Sequence, residues 1–303
     1  MTKLRRKAKM PRSGNTLTSM EHLVDILDLE QIEENLFRGP SPDVGWQRLF
    51  GGLVISQALA ATQRTVPADR FVHSLHAYFL RPGDPAVPVV YEIDRIRDGG
   101  SFTTRRAVAV QHGKPIFVLS ASFQIDEPGL AHQAPMPDIT PPEDLPDSET
   151  IYEKFLRHAP EHVRRFWLRE RPVDIRPVSL THYISPDRLE PSQHVWVRAN
   201  GHVPEDRATA AAVLAYVSDM TLLDTALFPH GVSVFDRILQ AASLDHAMWF
   251  HSDPDFSDWL LYTQDSPFSG AGRGLSRGAI YTRSGRLVAS VAQEGLIRKR
   301  ASD

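Results

Sequence analysis

The residue best placed to do chemistry is a carboxylate inside an apolar stretch. Residues 206–223 have the length and the Ala and Leu content of a helix, with Asp206 as a suitable N-cap. Apolar residues on every side predict a helix that is buried all round. Within this helix Asp219 has apolar neighbours one turn away on both sides. Such a carboxylate must be paired, hydrogen-bonded or raised in pKa, so Asp219 is either a structural aspartate or a catalytic base.

Other ionisable residues show weaker patterns. Asp224 lies five residues beyond Asp219 and is expected to lie well round the helix, in a C-terminal or surface role. Four histidines in strand-like runs have no carboxylate at ligand spacing, which favours structural or hydrogen-bonding roles over a metal site. They are His73, His76, His246 and His251. We predict no metal and no cofactor.

Composition narrows the class of protein. The 303 residues are 42% hydrophobic, enough for two domains with a core each. The net charge of −3 gives no overall attraction to nucleic acid or anionic membranes. The sequence has no cysteine, which excludes disulfides, a thiolate nucleophile and Cys-ligated zinc. No apolar run is expected to reach the roughly 20 residues that span a bilayer.

The chain divides into four predicted segments. Residues 1–20 carry six basic residues without the apolar core of a secretory signal, which predicts a disordered basic tail. Residues 126–150 contain six prolines and are expected to form an acidic linker. Two folded units, residues 21–125 and 151–303, make up the rest of the chain.

Both units show the same order of elements. A buried-looking helix, at 49–66 and at 206–223, precedes strand-like runs that are separated by Gly, Pro and Asp turns. The runs cover 71–80, 87–97, 102–111 and 115–125 in the first unit, and 246–251, 259–264, 274–282 and 287–298 in the second. His76 aligns with His246, and Tyr91 with Tyr262, at a spacing of about 170 residues. The sequence therefore predicts an α+β fold built from two copies of a helix with an antiparallel meander.

Several spaced motifs resemble those of the type II acyl-CoA thioesterases, the TesB-like double-hotdog family. They are YVSD at 216–219, PHG at 229–231, SLDHAMWFH at 243–251 and VAQEGL at 291–296, with FGG at 50–52, VHSLH at 72–76 and GKPIF at 113–117 in the first half. The resemblance covers roughly residues 21–298. It implies a double hotdog, in which two repeats of a long helix are each wrapped by an antiparallel β-sheet.

The resemblance also implies a catalytic set. Members of the family use an Asp, a Thr or Ser, and a Gln of the C-terminal hotdog to hold the attacking water, and these positions fall on Asp219, Ser243 and Gln293. The alternation of the last strand agrees, because Gln293 is the polar member of an otherwise apolar face. A buried glutamine needs partners for both its carbonyl and its amide. Ser243 stands where many members have Thr, which keeps the hydroxyl but leaves its rotamer freer.

The implied reaction is hydrolysis of fatty acyl-CoA to free fatty acid and CoA. Without cysteine or a Gly-x-Ser-x-Gly elbow a covalent route lacks support, so Asp219 is expected to orient or deprotonate a water. Backbone N–H groups would stabilise the oxyanion. Gly51 and Gly52, near a helix start, are interpreted either as substrate-binding backbone or as sites of tight packing.

The end of the chain offers cations for the substrate. Arg298, Lys299 and Arg300 either meet the phosphates of CoA or form an exposed basic end. The expected partners are acyl-CoA and further copies of the chain, as a dimer or tetramer of double hotdogs, without nucleic acid or stable membrane association. A cytoplasmic location is expected, since the chain ends in Ala301-Ser302-Asp303 and not in a peroxisomal tripeptide.

Two other functions stay open at this point. A hotdog hydratase would need a catalytic Asp/His pair that the motifs do not place. A non-hydrolytic acyl-CoA-binding protein would use the same fold but should lack the Asp/Gln pair. The first-half helix carries Gln57 and small residues where a carboxylate would be needed, so one catalytic site per chain is expected, in the C-terminal half.

Overall fold

The computed structural model describes residues 16–300, except for 43, 45–47, 147–149, 151–156, 158–160 and 237 and the side chains of His162, Phe166 and Ile184. Most of the predicted basic tail therefore lies outside the described residues. The described helices are α1 (Met20–Leu27), α2 (Gly51–Gln63), α3 (Glu161–Leu168), α4 (Thr181–Ile184) and α5 (Arg207–Ser218), with 3₁₀ turns at Pro142–Asp144, Leu222–Ala226 and Phe228–His230.

Thirteen described strands form one antiparallel sheet. They are β1 (Glu30–Glu33), β2 (Leu36–Gly39), β3 (Phe71–Phe79), β4 (Val89–Asp98), β5 (Phe102–Gln111), β6 (Lys114–Gln124), β7 (Val173–Pro177), β8 (Ser192–Ala199), β9 (Leu239–Ser243), β10 (Asp245–Phe250), β11 (Leu260–Gly270), β12 (Arg273–Thr282) and β13 (Leu287–Lys299). The order is β1-β2-β4-β5-β6-β3-β10-β13-β12-β11-β8-β7, and β9 pairs with β13. Each half runs through the same order outward from the β3–β10 pair, as a duplicated unit should.

The two long helices are buried and lie side by side. Every residue of α2 from Gly52 to Thr62 is buried, and so is α5 from Ala211 to Ser218. The helices pack against each other. Because each helix is enclosed by the sheet and by the other helix, neither has a polar face. The predicted α+β fold of two helix-and-sheet repeats is confirmed.

Equivalent tyrosines fix each helix to its sheet. The Tyr91 hydroxyl on β4 donates to Gln57 Oε1 at 2.8 Å, and the Tyr262 hydroxyl on β11 donates to the Ser218 carbonyl at 2.6 Å. Both rings are fully buried. The alignment of Tyr91 with Tyr262 in the sequence therefore corresponds to a shared structural role.

The second long helix is shorter than expected. Asp206 is its N-cap and accepts from the Thr209 N–H at 2.8 Å, but the helix ends at Ser218 and not at 223. Thr221 has a left-handed backbone, with φ of 63°, which an α-helix cannot contain. Two buried glutamines stabilise this ending: Gln193 donates to the Thr221 carbonyl and Gln264 to the Thr221 hydroxyl, both at 2.8 Å. These partners lie on β8 and β11, so no local pattern could reveal the helix end.

In the described part of the chain, one apolar segment is long enough to span a membrane, which the sequence pattern did not lead us to expect. The stretch Arg207–His230 is long and apolar enough to cross a membrane, by length and composition alone. Within its most apolar 18 residues, 78% are buried inside the protein. A core helix that is enclosed on all sides has the same composition.

The segment expected to be a linker lies along the sheet of the second repeat. The Trp196 indole N–H donates to the Thr140 carbonyl at 2.9 Å, and Arg283 forms an ion pair with Glu143. Over residues 126–146 the only regular element is the 3₁₀ turn at Pro142–Asp144.

Gly278→Ala should destabilise the fold. A Cβ on Gly278 in β12 would collide with the ring of Tyr262, which is fully buried and cannot move aside. Overpacking of this kind costs about 1–3 kcal/mol, and a urea unfolding curve would measure the loss. Gly100→Ala is the matched control, because a Cβ there meets nothing within 4 Å. Equal midpoints for the two variants would contradict this packing.

Candidate active site

Asp219 lies where the two repeats meet. It follows the last residue of α5, and its Oδ2 accepts a hydrogen bond of 2.8 Å from the Gly52 N–H in the first turn of α2. A helix N-terminus carries partial positive charge, which favours a carboxylate there. The close approach depends on glycine, because a Cβ on Gly51 would lie 2.6 Å from Asp219 Oδ2. One repeat thus supplies the carboxylate and the other its main backbone donor.

The structure brings the three predicted catalytic residues together. Ser243 ends β9 and pairs with Gly295 on β13, and Gln293 lies two residues away on β13. The Gln293 amide donates to Ser243 Oγ at 2.8 Å. The Ser243 hydroxyl in turn points to Asp219 Oδ1, at 3.4 Å. Amide, hydroxyl and carboxylate therefore form one chain of hydrogen bonds.

His246 on β10 extends this chain and was not connected with it in the sequence. Its Nδ1 lies 2.6 Å from Gln293 Oε1, and its Nε2 lies 2.8 Å from Ser218 Oγ. Because an amide oxygen only accepts, Nδ1 must carry the proton. Burial lowers the pKa of His246 to about 4, so the ring is neutral and Nε2 accepts from Ser218. His246 thereby fixes the Gln293 amide toward Ser243.

Burial controls the proton affinity of Asp219. It raises the pKa of Asp219 to about 7, and hydrogen bonds from Gln293, Gly52 and Ser243 lower the pKa in part. A group with this pKa can both accept and return a proton near neutral pH.

The three residues open onto a cavity of about 700 Å³. Much of its wall is apolar, including Phe50, Val54, Phe79, Leu223, Leu244 and Leu296. Five arginines also line it: Arg48, Arg81, Arg169, Arg171 and Arg300. The cavity therefore offers an apolar surface and fixed positive charge beside Asp219.

Only some of the residues expected to bind substrate line the cavity. Gly51 lines the cavity, whereas the Gly52 N–H is already bonded to Asp219. Arg300 lines the cavity, but Arg298 and Lys299 are not among the described residues of its wall.

The expectation of a surface role for Asp224 is wrong. Its side chain is buried, with 7% of the residue exposed, and it lines the same cavity. The Tyr183 hydroxyl donates to Asp224 Oδ2 at 2.6 Å. The α-helical spacing used for the prediction fails after Ser218, since the left-handed Thr221 and the following 3₁₀ turn redirect the chain.

The remaining histidines of the strand-like runs have partners on the sheet. His73 bonds Ser122 at 2.8 Å, and His251 bonds Ser290 at 2.9 Å. His76 packs edge-on against Trp249. In the part of the chain that the structure describes, no three His, Asp or Glu side chains are grouped as metal ligands.

Comparison with known proteins identifies the family. The family model described as acyl-CoA thioesterase matches residues 163–296, and the model described as acyl-CoA thioesterase N-terminal domain matches residues 37–124. Human acyl-coenzyme A thioesterase 8 is 43% identical, over 90% of this chain and 88% of its own. Acyl-CoA thioesterase 2 of Haemophilus influenzae is 38% identical, over 92% and 98%.

Solved structures show the same relationship. Acyl-CoA thioesterase II TesB2 from Mycobacterium marinum has a TM-score of 0.76 at 43% identity, covering 92% of this chain and 99% of its own. A hot dog protein from Alicyclobacillus acidocaldarius, at 20% identity, shares the fold with a TM-score of 0.73. The structure is thus a double hotdog. The chain belongs to the acyl-CoA thioesterase family, which confirms the resemblance in its motifs and the enzyme class, a thioester hydrolase.

Asp219→Asn should stabilise the protein more at pH 8 than at pH 5. The folded-state pKa of about 7 exceeds the ordinary 3.8, so the folded state binds the extra proton and wild-type stability falls as pH rises between these values. From pH 5 to the folded pKa is about two units, at about 1.4 kcal/mol each, so the stabilisation should grow by roughly 2–3 kcal/mol. Unfolding in urea at both pH values measures it. Asp265→Asn, at an exposed ion pair with Arg277, is the control, and a pH-independent effect of Asp219→Asn would contradict the burial argument.

Proposed function

We propose that this protein hydrolyses fatty acyl-CoA to free fatty acid and CoA, by attack of a water that Asp219, Ser243 and Gln293 hold. The observation that carries the proposal is the position of Asp219, a partly buried carboxylate with a pKa of about 7 at the wall of a largely apolar cavity. Ser243 and Gln293 add a hydroxyl and an amide beside Asp219, so that three polar side chains are grouped at this point of the wall.

The steps follow from the hydrogen-bond directions. Asp219 Oδ2 is engaged by Gly52, which leaves Oδ1 to accept a proton from the water. The contact between Ser243 Oγ and Asp219 Oδ1 is long, at 3.4 Å, so it is weak and a water can replace Ser243 as the partner of Oδ1. The water oxygen then bonds to the thioester carbon while Asp219 takes its proton. Collapse breaks the carbon–sulfur bond, and the thiolate takes the proton from Asp219.

The N-terminus of α2 would receive the developing oxyanion. Gly51 lines the cavity at the first position of this helix, where backbone N–H groups have no helical acceptor. A fixed donor aimed at developing charge stabilises the transition state. Gly52 has a different part, because its N–H holds Asp219.

The cavity matches the two ends of acyl-CoA. The acyl chain would lie against apolar residues such as Val54 and Leu296. Of the lining arginines Arg48, Arg81 and Arg300 are exposed and suit the phosphates of CoA. A hydratase is disfavoured, because His246 is neutral and both of its ring nitrogens are engaged inside the protein.

Other expectations stay predictions. These are the homo-oligomeric assembly, the cytoplasmic location, the absence of stable membrane association and of nucleic-acid partners, and the division of the chain into tail, two hotdogs and linker.

Asp219→Asn should remove most turnover while acyl-CoA binding persists. Asparagine keeps the volume but cannot accept a proton, so kcat should fall on the order of 100- to 10,000-fold. In the wild type kcat should rise with pH through about 7, as Asp219 ionises. Free thiol released from octanoyl-CoA gives both results. Gln293→Ala should lose less, and Asp265→Asn should resemble the wild type; wild-type kcat in Asp219→Asn would refute the base.

Arg300→Ala should raise KM for acyl-CoA with little change in kcat. One lost charge-assisted contact to a phosphate predicts roughly a tenfold rise, smaller at high salt. Arg298→Ala, two residues earlier at the end of β13, is the comparison, since Arg298 is not among the residues that line the cavity. A rise in KM for Arg298→Ala alone would mean that the phosphates lie along the strand and not at the cavity.

A further inference from the structure

The cavity holds a second carboxylate that the proposed reaction does not use. Asp224 lies in the 3₁₀ turn Leu222–Ala226, is 7% exposed and lines the cavity together with Tyr183 of α4. The Tyr183 hydroxyl donates to Asp224 Oδ2 at 2.6 Å. Among the described residues Asp224 forms no ion pair, so this one hydroxyl is its side-chain partner.

One oxygen of Asp224 remains available to a ligand. Oδ1 has no hydrogen bond within the described part of the protein, yet it is not among the side-chain atoms that are sealed away without a partner. Asp224 belongs to the cavity wall, so the cavity is the side from which a ligand would meet Oδ1. A buried carboxylate oxygen that faces a ligand cavity calls for a hydrogen-bond donor.

The pair is held rigidly. The Tyr183 ring packs edge-on against Trp167, with centroids 5.2 Å apart, and lies against the His182 ring. The Asp224 backbone N–H donates to the Thr221 carbonyl, which Gln193 also holds. The Tyr183 side chain cannot leave the cavity without breaking its ring contacts, and Asp224 is held by its backbone bond and by the Tyr183 hydroxyl, so the pair is preorganised for a ligand.

We infer that Asp224 and Tyr183 form a polar subsite that recognises a hydrogen-bond donor carried by the thioester substrate. Two parts of such a substrate have suitable donors: a hydroxyl on the acyl chain, and the amide N–H and hydroxyl groups of the pantetheine arm of CoA. A plain hydrocarbon segment at this position would leave Asp224 Oδ1 desolvated and without a hydrogen-bond partner, and an anionic group would be repelled. The inference rests on the proposed function, since it concerns the same substrate.

The test compares substrates and variants together. The substrates are octanoyl-CoA, octanoyl-CoA analogues with a hydroxyl at successive chain positions, and S-ethyl thiooctanoate, which lacks the pantetheine donors. Two ratios of kcat/KM are measured by thiol release: hydroxyoctanoyl-CoA over octanoyl-CoA, and octanoyl-CoA over the S-ethyl thioester. Asp224→Leu should lower one of these ratios at least about tenfold, because a hydrogen bond to a charged group is lost. A fall in the first ratio assigns the donor to the acyl chain, and a fall in the second to pantetheine.

Further variants guard against misfolding. Asp224→Asn keeps the size of the side chain and turns an N–H toward the cavity, so it should lower the same ratio if Asp224→Leu does not fold. Tyr183→Phe should lower that ratio as well. Tyr91→Phe is the matched control, because it removes a buried hydroxyl, bonded to Gln57 at 2.8 Å, that does not line the cavity. Its ratios should equal those of the wild type.

The outcomes separate the two claims. If the wild type hydrolyses octanoyl-CoA and neither ratio changes in any variant of Asp224 or Tyr183, the pair only joins α4 to the 3₁₀ turn and the subsite is refuted. If the wild type releases thiol from none of the thioesters, the proposed function fails and the subsite fails with it.

Discussion

The bond between the Gly52 N–H and Asp219 is the interaction on which the site depends. It joins the start of a helix in the first repeat to the end of a helix in the second, across 167 positions of sequence. A carboxylate among apolar side chains needs such a donor, and the positive end of α2 provides it. Because both helices are buried and packed on each other, the bond forms only when the two repeats fold together. The site is thus a property of the duplicated fold and not of either half.

A chain of hydrogen bonds that all run in one direction leads from the core to Asp219. Ser218 donates to His246, His246 to Gln293, Gln293 to Ser243, and Ser243 to Asp219. Each donor is fixed by the acceptor character of the next group, so a neutral His246 is enough to orient the whole chain.

The same burial that orders the site weakens the fold. Asp219 and Asp224 both have a pKa raised to about 7 by desolvation, so each destabilises the folded state when it is ionised. Proteins keep such groups where function requires them, and both of these face one cavity. The helix of the first repeat instead offers Gln57 to Tyr91, a neutral pair that serves packing.

The local sequence pattern by itself determined several features of this protein. Asp206 as a helix cap, the buried character of both helices and the alternation that turns Gln293 inward depend on contacts within a few residues or on the two-residue period of a strand. Tertiary structure decided the rest. The helix ends at Ser218 because glutamines from distant strands satisfy the turn after it, and that ending carries Asp224 into the cavity. Hydrogen bonds between residues far apart in the sequence leave no periodic trace, so only the folded chain reveals them.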